Sequence, residues 1–484
     1  MALLTDMYEI TMVAGYFETG IHERRACFEY FFRELPPDVG FGVFAGLEGM
    51  LEGIERLRFL ESDLDYLRGL GFSAATLDFL ADFRPEVEVF ALPEGAIVFP
   101  HEPVVRVEGP LAAAQLLETF TLNMLNYPTL VATRAARVAL AALGDPVMEF
   151  GLRRAQGPDG GLSGSRAAYI GGCVATSNML AGKAYGIPVR GTHAHSWIMS
   201  QESELTAFRK YVEVFPRSPI LLIDTYDTLK SGLPNAIQVF KELRALEPGV
   251  RAAIRLDSGD LARLSKEAYR RFAAEGFADP LIVGSGDLDE DLIADLKRQG
   301  AKINSWGVGT NLITGKNYPA LGGVYKVVAM QEHGEWTPRI KVSSNPAKTT
   351  DPGRKQVFRL FNGQDAPLAD VLGRAEDRLL PGRIKAVDRL LFYEEQTFEA
   401  ARVEPLLERV MRQGKRLRPP PALEAVRERA QQGIRALPEE KKRLRNPDRY
   451  PVLLSHELAE VKERLLKQER KNRARKPALQ GGGK

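Results

Sequence analysis

Cysteine is nearly absent: Cys27 and Cys173 are the only two in 484 residues. They stand far apart, in apolar or glycine-rich surroundings, which excludes a disulfide framework and points to small buried thiols in a reducing compartment. Histidine is scarce as well, at six, and no His/Cys spacing matches a zinc site. An excess of one charge is missing too. The 66 Lys and Arg against 63 Asp and Glu leave a formal +3, too little to argue for a nucleic-acid partner. No apolar run approaches the length that spans a bilayer. Residues 1–12, interrupted by Asp6 and Glu9, read neither as a secretory signal nor as an Arg-rich transit peptide. What remains is 44% hydrophobic and 27% charged, the profile of a globular chain with two or three domains, expected in the cytoplasm and off the membrane.

The hydrophobic pattern divides the chain in three. Residues 1–140 mix strands (26–32, 87–91), a hairpin-like pair within 95–107 and a helix over 111–125, as a separate α+β domain does. Residues 141–345 alternate short apolar runs with amphipathic helices at βα spacing. The strands fall at 147–150, 188–191, 220–223, 252–255, 281–283, 303–306 and 324–328. Helices are expected over 233–246, 261–275 and 290–299. This pattern fits an irregular TIM-like β/α barrel, with a doubly wound sheet as the competing arrangement. Residues 346–484 read as a C-terminal extension packed on the other domains. Its basic end (Lys441, Lys442, Arg443, Arg445 and residues 470–476) is interleaved with Glu457, Glu460 and Glu463, so it reads as a solvated helix running into a disordered tail rather than a nucleic-acid or membrane patch.

Nearly every strand of the middle region runs into a polar, glycine-rich tip: Gly151-Leu-Arg-Arg-Ala-Gln-Gly157, Thr192-His-Ala-His-Ser196, Asp224-Thr-Tyr-Asp-Thr228, Asp257-Ser-Gly-Asp260, Gly284-Ser-Gly-Asp287 and Gly307-Val-Gly-Thr-Asn311. In a β/α barrel these ends share one rim, where catalytic groups collect. Gly284, Ser285 and Gly286, and likewise Gly307, Gly309 and Thr310, have the character of phosphate cradles, because glycine admits close backbone approach. Either pair alone could be a tight turn. Asp287, Asp289, Glu290 and Asp291 would repel an anion there unless they face solvent or share a Mg²⁺ with it. Asp260 reads as a helix cap. Arg153, Arg154 and Arg255 supply guanidinium forks suited to a carboxylate or phosphate, or to structural ion pairs. Arg255 and Asp257 share one face of an extended chain, as do His193 and His195. Each histidine suits either a nucleophile or general acid/base role or a structural one, the structural reading weighing more for His193.

The motif Glu149-Phe-Gly-Leu-Arg-Arg-Ala-Gln-Gly-Pro-Asp-Gly-Gly161 resembles the nicotinate phosphoribosyltransferase family. So do Gly191-Thr-His-Ala-His-Ser-Trp197, Arg255-Leu-Asp-Ser-Gly-Asp260, Gly307-Val-Gly-Thr310, Thr5-Asp-Met-Tyr-Glu-Ile-Thr-Met12 and Asn446-Pro-Asp-Arg-Tyr-Pro-Val452. The matches run in order over nearly the whole chain. The resemblance implies an irregular α/β barrel plus an open α+β sandwich domain built from both chain ends, and a homodimer with shared active sites. It implies transfer of phosphoribose from phosphoribosyl pyrophosphate to nicotinate, with ATP as co-substrate and Mg²⁺ as cofactor, as the first step of NAD salvage from nicotinate. By resemblance His195 becomes a phosphohistidine and acts in catalysis with Asp257. Tyr8, Thr192 and Arg255 contact nicotinate, joined by Arg153. Thr310 binds the phosphoribosyl group, with Gly284, Ser285, Gly307 and Gly309 near its phosphate. Nicotinamide-using relatives are expected to carry an Asp beside the ring; an ungapped alignment sets Asn178 there, which favours nicotinate. Metal ligands stay unassigned. The competing functions are a nicotinamide or quinolinate phosphoribosyltransferase and a non-catalytic pyridine-nucleotide sensor.

Overall fold

The computed structural model describes residues 2–217, 219–345 and 348–475. The chain divides into two compact units. One draws on 1–129, 320–422 and 432–484, the other on 130–319 and 423–431.

The second unit is built on a six-stranded parallel sheet. Its order is Leu221–Leu222, Ala253–Leu256, Leu281–Gly284, Ser305–Val308, Val147–Glu149 and Ala175–Thr176. Ser305–Val308 is buried throughout, as parallel strands covered on both faces are. The helices Leu233–Leu246, Leu261–Ala274 and Glu290–Arg298 fall where the 3.6-residue periodicity sets them. Two begin on side-chain caps: Asp260 accepts from the Arg263 N–H and Asp289 from the Leu292 N–H, both at 2.9 Å. The expected strand at 188–191 is reduced to one parallel bridge, Val189 to Thr176.

A closed barrel would need a ladder between Val189 and Leu221–Leu222, and none is present among the described residues. The imidazole of His193 spans that seam instead, its Nε2 accepting the Leu222 N–H at 3.2 Å. Burial lowers the His193 pKa to about 4, so the ring is neutral. Its proton then sits on Nδ1, facing the Ala194 carbonyl at 3.4 Å.

The first unit holds two larger sheets. One is seven-stranded, ordered Glu335–Pro338, Gly323–Glu332, Arg25–Phe32, Val105–Pro110, Glu88–Ala91, Glu408–Arg412 and Lys415–Arg416. Residues 324–328, expected as the last barrel strand, belong here. Gly323–Glu332 is buried only in part and pairs antiparallel with Arg25–Phe32. Tyr325 stacks on Phe28 at 5.1 Å and donates its hydroxyl to the Ala114 carbonyl at 2.8 Å. The other sheet is six-stranded, ordered Glu395–Ala400, Gly382–Val387, Val452–Leu454, Pro367–Arg374, Lys355–Phe361 and Arg402–Pro405. Residues 346–484 are therefore no mere extension, since they supply this sheet and a core of Phe358, Leu360, Val371, Ile384 and Leu453.

Two local expectations change. The pair within 95–107 is not a hairpin: Ile97–Val98 pairs with Gly42–Val43, and Val105–Pro110 with Arg25–Phe32 and Glu88–Ala91. The single helix expected over 111–125 is two, Leu111–Leu116 and Glu118–Ala141, and the second runs on past 125 with Pro128 inside it. Proline removes the N–H that would bond the Met124 carbonyl. That carbonyl lies against Gly46, where a Cβ would sit 2.1 Å from its oxygen, so glycine at φ +102 is what lets the two backbones meet. Helix His456–Arg475 takes in the basic residues 470–475, and the residues expected to be disordered, 480–484, lie outside the described residues.

Candidate active site

The polar tips of the second unit enclose a cavity of about 380 Å³ at the carboxyl ends of its strands. Phe150, Arg153 and Arg154 line it from the first tip and Thr192 to Ala194 from the third. Arg255 and Asp257, Ser285 to Asp287, and Gly307, Gly309 and Thr310 come from the others. Arg255 and Thr310 thus face one space, as a shared rim requires.

Arg255 is the best-anchored group. Nε donates to Ser285 Oγ at 2.7 Å, Nη1 to Thr192 Oγ1 at 3.1 Å and Nη2 to Asp257 Oδ1 at 2.7 Å. The guanidinium lies 5.8 Å from the centre of the Phe150 ring. Ser285 Oγ in turn donates to Asp257 Oδ1 at 2.5 Å. Burial opposes ionisation of Asp257, but the Ser285 hydroxyl and the Arg255 charge outweigh it and hold this carboxyl below its ordinary range. Arg153 and Arg154 are exposed and make no ion pair among the described residues. Three guanidiniums against the carboxylates of Asp257 and Asp287 leave the cavity cationic, suited to an anion.

The acids at the helix start 287–291 divide. Asp289 is a cap, Glu290 is buried against Arg134 and Arg137, and only Asp287, at φ +45, lines the cavity. Asn311 secures that turn by donating to the carbonyls of Asp287 and Leu288 at 2.7 and 3.2 Å.

His195 opens the short helix His195–Met199 beside the cavity-lining Ala194 but is not itself part of the wall. Its Nδ1 lies 3.2 Å from Thr225 Oγ1, and it is close enough to Asp257 for the two to interact electrostatically. Asp224, next to Thr225, accepts from the Asp257 N–H at 3.0 Å and the Ser258 hydroxyl at 2.6 Å, while its Oδ1 is buried without a hydrogen bond.

Two expected site residues of this unit lie off the cavity wall, and a third belongs to the first unit. Asn178 is buried and all its polar capacity is used within the protein. Oδ1 caps the Leu180 and Ala181 N–H groups at 3.1 and 3.2 Å, and Nδ2 donates to the Gly161 carbonyl and Ser165 Oγ at 3.3 and 3.2 Å. Its neighbour Ser177 lines the cavity instead. Gly284 is absent from the wall; a Cβ there would press on Ile303 and Trp306 of the adjoining segment, so its smallness serves packing. Tyr8 sits on helix Met7–Glu18 of the first unit, partly exposed, with burial and the nearby Glu118 and Glu9 raising its phenol to about 12.

Glycines divide similarly. Gly307 makes room for the Phe150 ring, which a Cβ would meet at 2.5 Å. Gly286, which the sequence marks only as part of a Gly-x-Gly, has φ +91 and sits where a Cβ would be 2.2 Å from the Asp257 carbonyl oxygen. Phe150, Ser177 and Glu149 carried no separate signal: the strand Ala175–Thr176 is too short to show in a hydrophobic pattern.

Comparison with known proteins agrees over most of the length. The profile of the nicotinate phosphoribosyltransferase N-terminal domain matches residues 3–126, that of the nicotinate phosphoribosyltransferase family 146–367, and that of the C-terminal domain 354–462. The chain is 44% identical to nicotinate phosphoribosyltransferase of Bacillus subtilis, covering 94% of this chain and 93% of that protein. It is 38% identical to that of Homo sapiens, covering 94% and 95%. The crystal structure of human nicotinic acid phosphoribosyltransferase superposes with a TM-score of 0.84 at 35% identity, over 96% of this chain and all of that one. A nicotinate-nucleotide pyrophosphorylase from Pyrococcus furiosus shares the fold, with a TM-score of 0.68 at 24% identity over 89% and 94%. Strand ends and loops gathered around one cationic cavity, in a chain 44% identical to a nicotinate phosphoribosyltransferase over 94% of its length, lead to one assignment: the chain belongs to the nicotinate phosphoribosyltransferase family.

Proposed function

We propose that the chain joins nicotinate to phosphoribosyl pyrophosphate, forming nicotinate mononucleotide and pyrophosphate, as the first step of NAD salvage from nicotinate. The observation that carries this reading is the Arg255 fork, fixed by three side chains and flanked in one cavity by Arg153 and Arg154, which make no ion pair among the described residues. Such a wall suits a planar carboxylate on one side and phosphates on the other.

The pyridine nitrogen attacks C1 of the ribose, and the C1–O bond to pyrophosphate breaks with its electron pair leaving on the phosphate. Arg255, with Thr192, holds the nicotinate carboxylate, and Phe150 offers a flat face to the ring. Asp257, kept ionised by Ser285 and Arg255, stabilises the positive charge that develops at C1. Ser285, the backbone of Gly307 and Gly309, and the Thr310 hydroxyl line the side we assign to the phosphates.

No group of three or more His, Cys, Asp or Glu among the described residues is placed to hold a metal. Mg²⁺ takes most of its ligands from substrate phosphates and water. Asp257 and Asp287 are the carboxylates that would share it, and it would neutralise charge on the departing pyrophosphate. ATP hydrolysis couples through phosphorylation of His195, which adds negative charge at the rim beside Asp257. The exposed Leu152, Met179, Leu180 and Met199 adjoin cavity-lining segments and support a homodimer with shared sites, the Tyr8 contact coming from the partner. No helix among the described residues is long and apolar enough to cross a membrane, and we place the enzyme in the cytoplasm.

The test is one assay. The protein is incubated with phosphoribosyl pyrophosphate, Mg²⁺, with and without ATP, and nicotinate, nicotinamide or quinolinate in turn, and the mononucleotide is identified by mass. Nicotinate mononucleotide is expected. Turnover of nicotinamide but not nicotinate overturns the substrate, and binding without turnover supports a sensor. His195→Ala should abolish stimulation by ATP while leaving basal transfer; ATP hydrolysis at the wild-type rate would remove the phosphohistidine.

A further inference from the structure

Glu149 ends the strand Val147–Glu149 and is fully buried. A buried carboxylate is costly unless its lone pairs are filled. Here Oε1 accepts the backbone N–H of Gly151, and Oε2 accepts the hydroxyl of Thr176 at 2.5 Å and that of Ser165 at 2.9 Å, the Ser165 proton being shared with the Gly161 carbonyl at the same distance. No cation pairs with it among the described residues, so three neutral donors carry the whole stabilisation. Those donors lie on three different elements. Gly151 starts the turn that presents Arg153 and Arg154, Ser165 is on the helix Gly157–Gly171, and Thr176 closes the strand that leads to Ser177. The network continues outward. Thr176 Oγ1 accepts the Asn178 N–H at 3.0 Å, Ser165 Oγ accepts from Asn178 Nδ2 at 3.2 Å, and the Ser177 N–H donates to the Glu149 carbonyl at 2.9 Å. One carboxylate therefore joins the Arg153 turn to the Ser177 segment. It makes no hydrogen bond to Ser285, Gly307 or Thr310 across the cavity.

We propose that Glu149 is a positioning residue that fixes the Arg153 and Ser177 walls relative to each other and thereby sets affinity for the heteroaromatic carboxylate, leaving the phosphoribosyl side unaffected. The proposal rests on the reading above, which sets the aromatic acid against Phe150, Thr192 and Arg255; Arg153 follows Phe150 on the same segment, and we assign Ser177 to the same side. An amide keeps the size but removes the charge, and its single oxygen can face either the Gly151 N–H or the two hydroxyls and not all three, so Glu149→Gln weakens the junction.

The test compares Glu149→Gln, Thr176→Val and the conservative Thr176→Ser in the full chain. For Glu149→Gln the KM for nicotinate should rise roughly tenfold or more, the equivalent of one charge-assisted hydrogen bond lost. The KM for phosphoribosyl pyrophosphate should stay within about threefold, a split that general loosening of the fold does not produce. Thr176→Val should move nicotinate KM in the same direction, and Thr176→Ser, which keeps the hydroxyl, should restore wild-type behaviour. Equal changes in both KM values, or unchanged KM values with only a lowered melting temperature, overturn the proposal. If Glu149→Gln does not fold, Thr176→Val against Thr176→Ser decides. Hydrogen exchange supplies a readout independent of the assigned reaction: residues 151–156 and 176–181 should exchange faster together in the variants. Failure of the wild type to use nicotinate refutes the parent reading alone. Unchanged exchange in both segments refutes the role of Glu149 whatever the substrate.

Discussion

Replacing Arg255 by lysine keeps the charge and removes the fork. Arg255 reaches three partners in three directions, at 2.7, 3.1 and 2.7 Å, and a single ammonium can keep one of them. The Asp257 contact would be retained, so two hydrogen bonds are lost. A bond to a charged group contributes about 1.5–3 kcal/mol. The lower end applies, because Ser285 can still donate to the Leu256 carbonyl and Thr192 to that of His193. The anchoring lost is then about 3 kcal/mol; because those bonds are made within the protein and reach the substrate only by presenting the fork, they set a ceiling of about 100-fold on the fall in kcat/KM for nicotinate, since each tenfold step is about 1.4 kcal/mol. The assay is steady-state kinetics with nicotinate varied at saturating phosphoribosyl pyrophosphate, alongside thermal melting to show that the enzyme remains folded. A kcat/KM within about threefold of wild type would refute the reasoning, because it would mean that a point charge suffices and the planar fork contributes nothing.

Further outcomes are expected. Gly286→Ala forces a side chain into φ +91 against the Asp257 carbonyl oxygen, a strain of about 1–3 kcal/mol before the clash is counted; melting should fall by roughly 5–10 °C, while Gly249→Ala, with open space around it, should melt as wild type. Ser177→Asp brings a carboxylate into the cavity and should cut kcat/KM for nicotinate by at least about 30-fold through like-charge repulsion, with nicotinamide favoured in relative terms; Asn178→Asp should lower stability by setting acceptors against the Gly161 carbonyl without changing that preference. Burial pushes the Glu9 carboxyl up to about 7, with Glu118 and Asp6 adding to the rise and Gln115 and Tyr8 opposing it. The folded chain thus keeps a proton that the unfolded chain releases above about pH 4.5, so this contribution is full below 4.5 and lost as pH rises through 7. Glu9→Gln should therefore raise the melting temperature at pH 8 and not at pH 4; a gain equal at both would exclude the linkage.

How much of the fold the sequence carried depended on what each segment packs against. The helices 233–246, 261–274 and 290–298 were visible because each buries one stripe and starts on an aspartate or in a turn, so periodicity and capping agree. The parallel strands were visible as short apolar runs ending in polar tips. The strand Gly323–Glu332 was visible as a strand but assigned to the wrong sheet, since partner choice depends on residues some 300 positions away, such as Phe28. Pro128 misled in the same way. A local stop signal was overridden because its orphaned carbonyl meets a glycine from another element.

The site shows a sharper limit. Arginines, glycines and hydroxyls at strand tips were identifiable because the topology gathers such tips on one rim whatever the details. Orientation at single-residue precision was not. Successive residues of an extended segment point to opposite faces, so an alignment displaced by one position exchanges an inward group for an outward one. That is the relation between Asn178 and Ser177: the asparagine closes a helix start inside the unit and the serine looks into the cavity. The same rule explains Glu149, hidden in a motif read for its arginines. Its strand register against Val308 turns it inward, where three donors from three elements had to converge before a carboxylate could be buried at all. A sequence shows which residues are capable of chemistry. Which of them face the substrate and which hold the others in place is decided by contacts between segments that no local pattern encodes, and here those contacts run through Glu149.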